Sequence, residues 1–344
     1  MSNKVRNESR TVEDLGEFGF IKSIASGCIN RLDGVVYGIG DDCAVIGPFG
    51  DRVLLVTTDL LIENVHFILD RIPPEHIGEK SIAVNLSDIA AMGGLPRHTF
   101  VSIAVPRLFP ARVLNGIYGG IKSACKAYGV NLLGGDTSSS PGGLFINVTA
   151  IGETNKDSVM YRRGARVGDR IYVCGTLGGS VAGLKILKGE IPAAPEQWPS
   201  LVLMHTRPRA LIKEGLTIGS CGMATAMIDI SDGLVADLGH VCEESKVGAE
   251  VQEDSLPISE DLLSLGKQYH VDVTEYALTG GEDYALLVTV PPESAREFEK
   301  LLEQKTGAKP TDIGEITAGS DVKCMTPAGR QRHLETRGFN HFTS

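Results

Sequence analysis

Apolar runs in this chain end, repeatedly, on Gly, Ser or Thr set beside an acid. In order these ends are Gly40-Asp41-Asp42, Thr57-Thr58-Asp59, Ser87-Asp88, Gly134-Gly135-Asp136, Asp229-Ile230-Ser231-Asp232-Gly233 and Gly280-Gly281-Glu282-Asp283. Asp59 closes Val-Leu-Leu-Val-Thr-Thr, and Asp136 closes Val-Asn-Leu-Leu-Gly-Gly. Any one of these reads as a turn or a helix cap, because Asp and Gly are the commonest turn residues. Asp88 resists that reading. It lies in Ser81-Ile-Ala-Val-Asn-Leu-Ser-Asp-Ile-Ala-Ala-Met, a helix apolar on most sides, where an ionised carboxylate is costly without a partner. No neighbouring Lys or Arg offers itself as that partner.

If several of these ends meet, their charges must be answered. Two carboxylates ~4 Å apart repel by about 4 kcal/mol at an effective dielectric of ~20, so a cluster binds protons or cations. Hard oxygen donors from Asp, Thr and Ser suit magnesium, which is held by a few carboxylates together with substrate phosphates. That points to a nucleotide site in which cations screen phosphates from an acidic protein. The whole chain is acidic, with 43 Asp and Glu against 33 Lys and Arg. There is no basic surplus to track a nucleic acid or an anionic membrane.

The segments between these ends alternate in period. Strands are expected at Val53 to Thr58, Thr99 to Val105, Val130 to Leu133 and Leu144 to Ile151, and helices at Pro74 to Met92 and Pro110 to Tyr128. A Ser/Gly/Pro loop is expected from Asp136 to Gly143. After a polar, Arg-rich boundary at Thr154 to Gly168, strands are expected at Arg170 to Cys174, Ala226 to Ile230, Tyr284 to Val290 and Ile313 to Thr317. Helices are expected at Ser180 to Leu187, Pro208 to Leu216, Leu234 to Ser245 and Pro292 to Gln304. Lys188 to His205, with three prolines and the only Trp, reads as a surface excursion. The chain is thus an α/β (α+β) protein: a disordered tail over 1–15, an N-terminal domain over 16–154 and a C-terminal domain over 155–344. The seven cysteines form no C-x-x-C pair and read as reduced thiols, and no apolar run reaches the ~18 residues of a membrane span. A soluble, cytoplasmic protein is expected.

Familiar phosphate motifs are missing. There is no G-x-x-x-x-G-K-[ST] and no protein-kinase H-R-D or D-F-G set, and Gly38-Ile39-Gly40 does not complete G-x-G-x-x-G. Gly175-Thr-Leu-Gly-Gly-Ser180 is a strand-to-helix turn with the form of a phosphate cradle or of a plain structural turn.

A longer set of strings carries a resemblance. It comprises Gly38-Ile-Gly-Asp-Asp-Cys-Ala-Val45, Thr57-Thr-Asp59, Val65-His-Phe67, Ala83-Val-Asn-Leu-Ser-Asp-Ile-Ala-Ala-Met-Gly93, Gly134-Gly-Asp-Thr137, Arg162-Arg-Gly-Ala165, Gly168-Asp169, Ile228-Asp-Ile-Ser-Asp-Gly-Leu234, Thr279-Gly-Gly-Glu-Asp-Tyr284 and Gly338-Phe-Asn-His-Phe342. Together these resemble the thiamine-monophosphate kinase family, of the superfamily that includes aminoimidazole ribonucleotide synthetase and selenophosphate synthetase. The resemblance implies a homodimer of two-domain subunits, paired through their N-terminal domains, that phosphorylates thiamine monophosphate with ATP. By motif it implies magnesium ligands at Asp42, Thr57, Thr58, Asp59, Asp88, Asp136, Asp229 and Asp232, with Asp42, Asp88, Asp136 and Asp232 central to catalysis. It implies ATP contacts at Tyr118, Gly135, Asp136, Arg162 and Ser231, and thiamine-side contacts at His66, Glu282 and Phe339. Asp283 reads as structural.

The chain departs from the family's R-P-x-P-R stretch, having only His205-Thr-Arg-Pro-Arg209. That leaves the roles of Arg207 and Arg209 open, as it does those of the Ser138 to Ser140 loop. A relative with another acceptor, or a non-catalytic nucleotide or metal binder, is the alternative. The polar N-terminus lacks the reactive Cys of selenophosphate synthetases, and the end His-Phe-Thr-Ser lacks that of hydrogenase-maturation relatives.

Overall fold

The computed structural model describes residues 11–332. Phe339 lies outside them. The first half runs α1 (Val12–Ile24), β1 (Val35–Tyr37), β2 (Ala44–Phe49), β3 (Arg52–Ile62), α2 (Pro74–Ala91), β4 (Leu95–Pro106), α3 (Ala111–Tyr128), β5 (Asn131–Ser140) and β6 (Phe145–Asn155). Its strands form one sheet in the order β1-β2-β3-β6-β4-β5, antiparallel except for the parallel pair β4 and β5. Inward residues of β3 and β6 alternate strictly, with Val53, Leu55, Ile146, Val148 and Ala150 buried against α2 and α3. Among the described residues no other element packs broadly on the outward residues, so this sheet is covered on one side only.

The second half runs β7 (Arg170–Cys174), α4 (Gly179–Lys188), α5 (Pro199–Thr206), α6 (Ile212–Cys221), β8 (Ala226–Ile230), α7 (Leu234–Ser245), β9 (Gly248–Gln252), α8 (Glu260–Tyr269), α9 (Val273–Thr279), β10 (Ala285–Val290), α10 (Ala295–Thr306), β11 (Thr311–Thr317) and β12 (Val322–Met325). Its sheet has the order β12-β9-β11-β7-β10-β8. Both faces are covered. Ile171, Val173, Ile228 and Leu287 pack with Leu234 and Leu238 of α7, while Tyr172, Met227, Leu286 and Val288 pack with Phe298 and Leu302 of α10. This explains why β8 and β10 are apolar without alternation.

Helix α2 joins the halves. It packs on β3, β4 and β6 of its own sheet, on α3, and across to α5, α6 and β8. Contact on every side accounts for the burial of 13 of its 18 residues, Lys80, Asn85 and Ser87 among them.

Three expectations are corrected. The tail ends sooner: Thr11 and Asp14 cap each other's backbone N–H groups, so the helix α1 starts at Val12, inside the span expected to be disordered. The Ser/Gly/Pro loop is mostly strand, because β5 pairs with β4 from Asn131 to Ser140 and turns only at Gly142 and Gly143. The Lys188 to His205 excursion folds inward as α5, which packs on α4 and buries Leu201, His205 and Thr206.

Candidate active site

The aspartates converge where the two halves meet. Asp42 sits in the turn before β2, Asp88 on α2 and Asp229 in β8, and one carboxylate oxygen from each lies within 4.8 Å of the others. Strand period decides which neighbours join them. Thr57 and Asp59 of β3 point to the helix-covered face: the Thr57 hydroxyl donates to Asp88 Oδ2, and Asn85 Oδ1 accepts the Asp59 N–H at 3.0 Å. The Ser87 hydroxyl donates to Asp229 Oδ2 at 2.5 Å. The partner that Asp88 lacked in sequence is therefore a hydroxyl, not a cation.

One cation answers the cluster. Arg162 donates through Nε to Asp42 Oδ1 at 3.0 Å and through its backbone N–H to Asp41 Oδ2 at 3.2 Å. It cannot neutralise the group. Burial raises the Asp88 carboxyl well above its usual range, with Asp59 and Asp229 adding to it. Burial, then the Asp42 charge, pushes Asp41 up to about 7 and Asp229 up to about 8. Asp59 is pushed up to about 6, again by burial first and Asp42 second. Asp42 Oδ2 is buried with no hydrogen-bond partner among the described residues. Converging hard oxygens, surplus negative charge and an orphaned carboxylate oxygen are the donor set a magnesium ion requires, so these residues fit one.

Other expected residues stand elsewhere. Thr58 points to the opposite face of β3, where its hydroxyl meets Val148 O at 3.1 Å and Thr149 Oγ1 at 3.2 Å. Asp136 pairs in register with Ser102, on that same outward face. Neither joins the cluster within one chain. Gly135, beside it, has φ +155° and a Cβ there would lie 1.7 Å from Val101 O, so only Gly fits. Tyr118 packs against the first core from α3. Asp232 lies at the start of α7, pushed up to about 6 by burial and then by Glu17. Arg207 pairs with Glu79 on α2.

The second acidic motif is folded onto the first. Glu282 N–H donates to Ser231 O at 2.7 Å and Tyr284 N–H to Ile230 O at 2.8 Å, with φ of +63° at Glu282 and +51° at Tyr284. Such conformations cost of order 1–3 kcal/mol each and persist only where surroundings impose them. Asp283 accepts from Gly178 N–H at 2.6 Å and Ser180 N–H at 3.2 Å. It thus occupies the start of α4, and the Gly175 to Ser180 turn holds a protein carboxylate, as the structural reading of both segments requires. Glu282 is bound by Lys80 Nζ at 2.7 Å on Oε1 and by His205 Nδ1 at 3.1 Å on Oε2. Burial alone would raise its carboxyl, but Lys80 and His205 outweigh that and hold it well below the carboxylate range. His66 accepts the Ile62 N–H on Nδ1 at 3.0 Å, and its carbonyl accepts from Lys80 at 2.9 Å. Lys80 and His205 escaped the sequence reading. The one signal for Lys80 was a cation on the same helix as Asp88, just ahead of its mostly apolar stretch from Ser81 to Ala91.

Known proteins match this arrangement over most of its length. Residues 40–154 match the family model "AIR synthase related protein, N-terminal domain", and residues 166–326 match "AIR synthase related protein, C-terminal domain". The thiamine-monophosphate kinase of Haemophilus influenzae is 39% identical over 95% of this chain and 98% of its own length. That of Aquifex aeolicus is 37% identical over 96% of this chain and 99% of its own. The solved structure "AaThiL complexed with AMPPCP and TMP" superposes with a TM-score of 0.84 at 36% identity, covering 97% of this chain and 99% of that one. The hydrogenase maturation protein HypE of Escherichia coli, at 20% identity, 82% of this chain, 85% of its own and a TM-score of 0.69, shares the fold. The chain belongs to the thiamine-monophosphate kinase family.

Proposed function

We propose that this protein transfers the γ-phosphoryl group of ATP in line to the phosphate of thiamine monophosphate, giving thiamine diphosphate and ADP. The observation that carries the reading is the meeting of Asp42, Asp88 and Asp229, from both domains, with one Asp42 oxygen left without a hydrogen-bond partner among the described residues. Full-length similarity to thiamine-monophosphate kinases, one of them solved with AMPPCP and TMP, supports it.

The acceptor needs no general base, because a phosphate monoester with a second pKa near 6 is mostly ionised at neutral pH. The obstacle is charge. Bound magnesium would neutralise the facing phosphates, and Asp42, Asp59, Asp88, Asp229 and Asp232 are the residues that would hold it, with Thr57 orienting Asp88. Positioning and electrostatics then supply the catalysis. Arg162 keeps Asp42 in place, and Ser231 and Gly135 are the backbone positions to which this reading assigns ATP contacts. Thr58 and Asp136 join the site when a second copy covers the outward face of the first sheet, which is the homodimer this reading includes. The unpaired state of all seven cysteines suits a reducing cytoplasm.

The test is direct. Purified protein with ATP, magnesium and thiamine monophosphate is expected to yield thiamine diphosphate by chromatography; ADP release without that product refutes the assignment of the acceptor.

A further inference from the structure

Two buried side chains outside the aspartate cluster converge on Glu282 from opposite sides. Lys80, on α2 of the first domain, and His205, at the end of α5 in the second, are each 1% exposed, while Glu282 between them is 23% exposed. Neither can touch a ligand in the cleft. Each holds a different oxygen of the carboxylate, and Lys80 also donates to the carbonyl of His66. The two residues placed on the thiamine side by family motif, His66 and Glu282, therefore share one ammonium.

The His205 ring is tuned for this contact. Its Nε2 is buried with no partner among the described residues, and burial, followed by the Lys80 charge, lowers its proton affinity. The neutral ring must then carry its hydrogen on Nδ1, the atom that meets Glu282 Oε2 and, at 3.2 Å, Ser180 Oγ. A carboxylate on a left-handed backbone residue has few other restraints on its direction. The Ser231 bond fixes the Glu282 main chain, and the two donors fix its head.

We propose that Lys80 and His205 are positioning residues that aim the Glu282 carboxylate at the thiamine end of thiamine monophosphate, joining the two domains through that single side chain. This rests on the reading of Glu282 as a substrate contact. A donor placed on each oxygen leaves the remaining lone pairs pointed into the cleft, where the amino group of an aminopyrimidine can donate to them.

The experiment compares steady-state constants for both substrates in His205→Leu, His205→Asn, Lys80→Met and Glu282→Gln. Leu removes the donor, whereas Asn keeps an N–H near the Nδ1 position. His205→Leu is expected to raise KM for thiamine monophosphate about tenfold, the scale of one charge-assisted hydrogen bond, with KM for ATP within about twofold. His205→Asn is expected to return most of that loss. Should His205→Leu fail to fold, Lys80→Met makes the same test from Oε1, and calorimetric titration with thiamine monophosphate reads it independently of turnover. Equal rises in both KM values, or an Asn variant as impaired as Leu, overturns the positioning role. Glu282→Gln separates the two layers: an unchanged KM there refutes the substrate contact itself, whereas a raised KM with normal His205 and Lys80 variants refutes only the clamp.

Discussion

At the residue scale, the site is a group of carboxylates kept together against their own repulsion. Asp41 at about 7 and Asp229 at about 8 both sit far above their unfolded values of about 3.9. A raised carboxyl binds more protons folded than unfolded, so stability falls as pH rises toward the folded value. Between pH ~7.5 and ~8.5 the buried histidines, His205 and His240, have lowered affinities when folded and lie above their unfolded value of about 6.5, so they scarcely oppose the trend. Metal-free protein is therefore expected to lose melting temperature across that window, and magnesium is expected to restore it. A flat profile in chelator would refute the surplus charge. Asp229→Asn removes one buried charge while keeping an acceptor for Ser87. It is expected to melt higher than the parent without metal at pH 8, by about 2–4 °C for each kcal/mol relieved, yet to lose more than about 100-fold in turnover. The aspartates were legible because each is a carboxylate set at the end of, or inside, an apolar run where its charge needs an answer. The clamp on Glu282 was not, because Lys80, His205 and Glu282 are separated by long stretches of chain and only the packing of α2 against the second domain joins them.

At the element scale, glycines within α2 and α3 serve a helix contact rather than a turn. The 41 glycines are about 12% of the chain against a usual ~7% and are expected in turns, yet a Cβ at Gly78 of α2 would lie 2.0 Å from Ile117 O, and one at Gly120 of α3 would lie 1.8 Å from Glu75 O. These two helices touch backbone to backbone, which holds α2 and its Asp88 at one depth over the sheet. Gly120→Ala is expected to destabilise by about 2 kcal/mol or more through overpacking. The neighbouring Gly119→Ala, with nothing within 4 Å of its Cβ, is expected to stabilise by about 0.5–1 kcal/mol through helix propensity. Denaturant midpoints separate them, and equal shifts in one direction would refute the close approach. Elements such as α2, α7 and β7 were legible from their apolar runs and the turn residues that bound them. β5 was not: Gly-Gly-Asp-Thr-Ser-Ser-Ser has little strand propensity, and its register on β4 holds it extended. α5 hid behind its prolines, of which Pro199 opens the helix at a position where no N–H is needed.

At the scale of the whole molecule, the two sheets differ in one respect that bears on function. The second is buried between helices, whereas the first leaves its outward face open, with Leu60 and Phe100 exposed beside Thr58, Ser102, Asn147 and Thr149. Thr58 and Asp136 are expected metal ligands that the single chain does not deliver to the cluster, and both stand on this face. An apolar and polar sheet face of this kind is what a self-complementary interface of about 800 Å² per partner is built from. The wild-type protein is therefore expected to run in solution at twice the 36.7 kDa of one chain. Phe100→Asp, or Leu60→Asp, places a charge in the middle of that face without touching the inner core. Either is expected to give a monomer with a native melting transition, and to lose turnover because Thr58 and Asp136 no longer meet the substrates. Light scattering coupled to size exclusion reads the mass, and the chromatographic assay reads the activity. A monomer that retains full turnover would show that one chain completes the site by itself, and a variant that stays dimeric would place the interface on another surface.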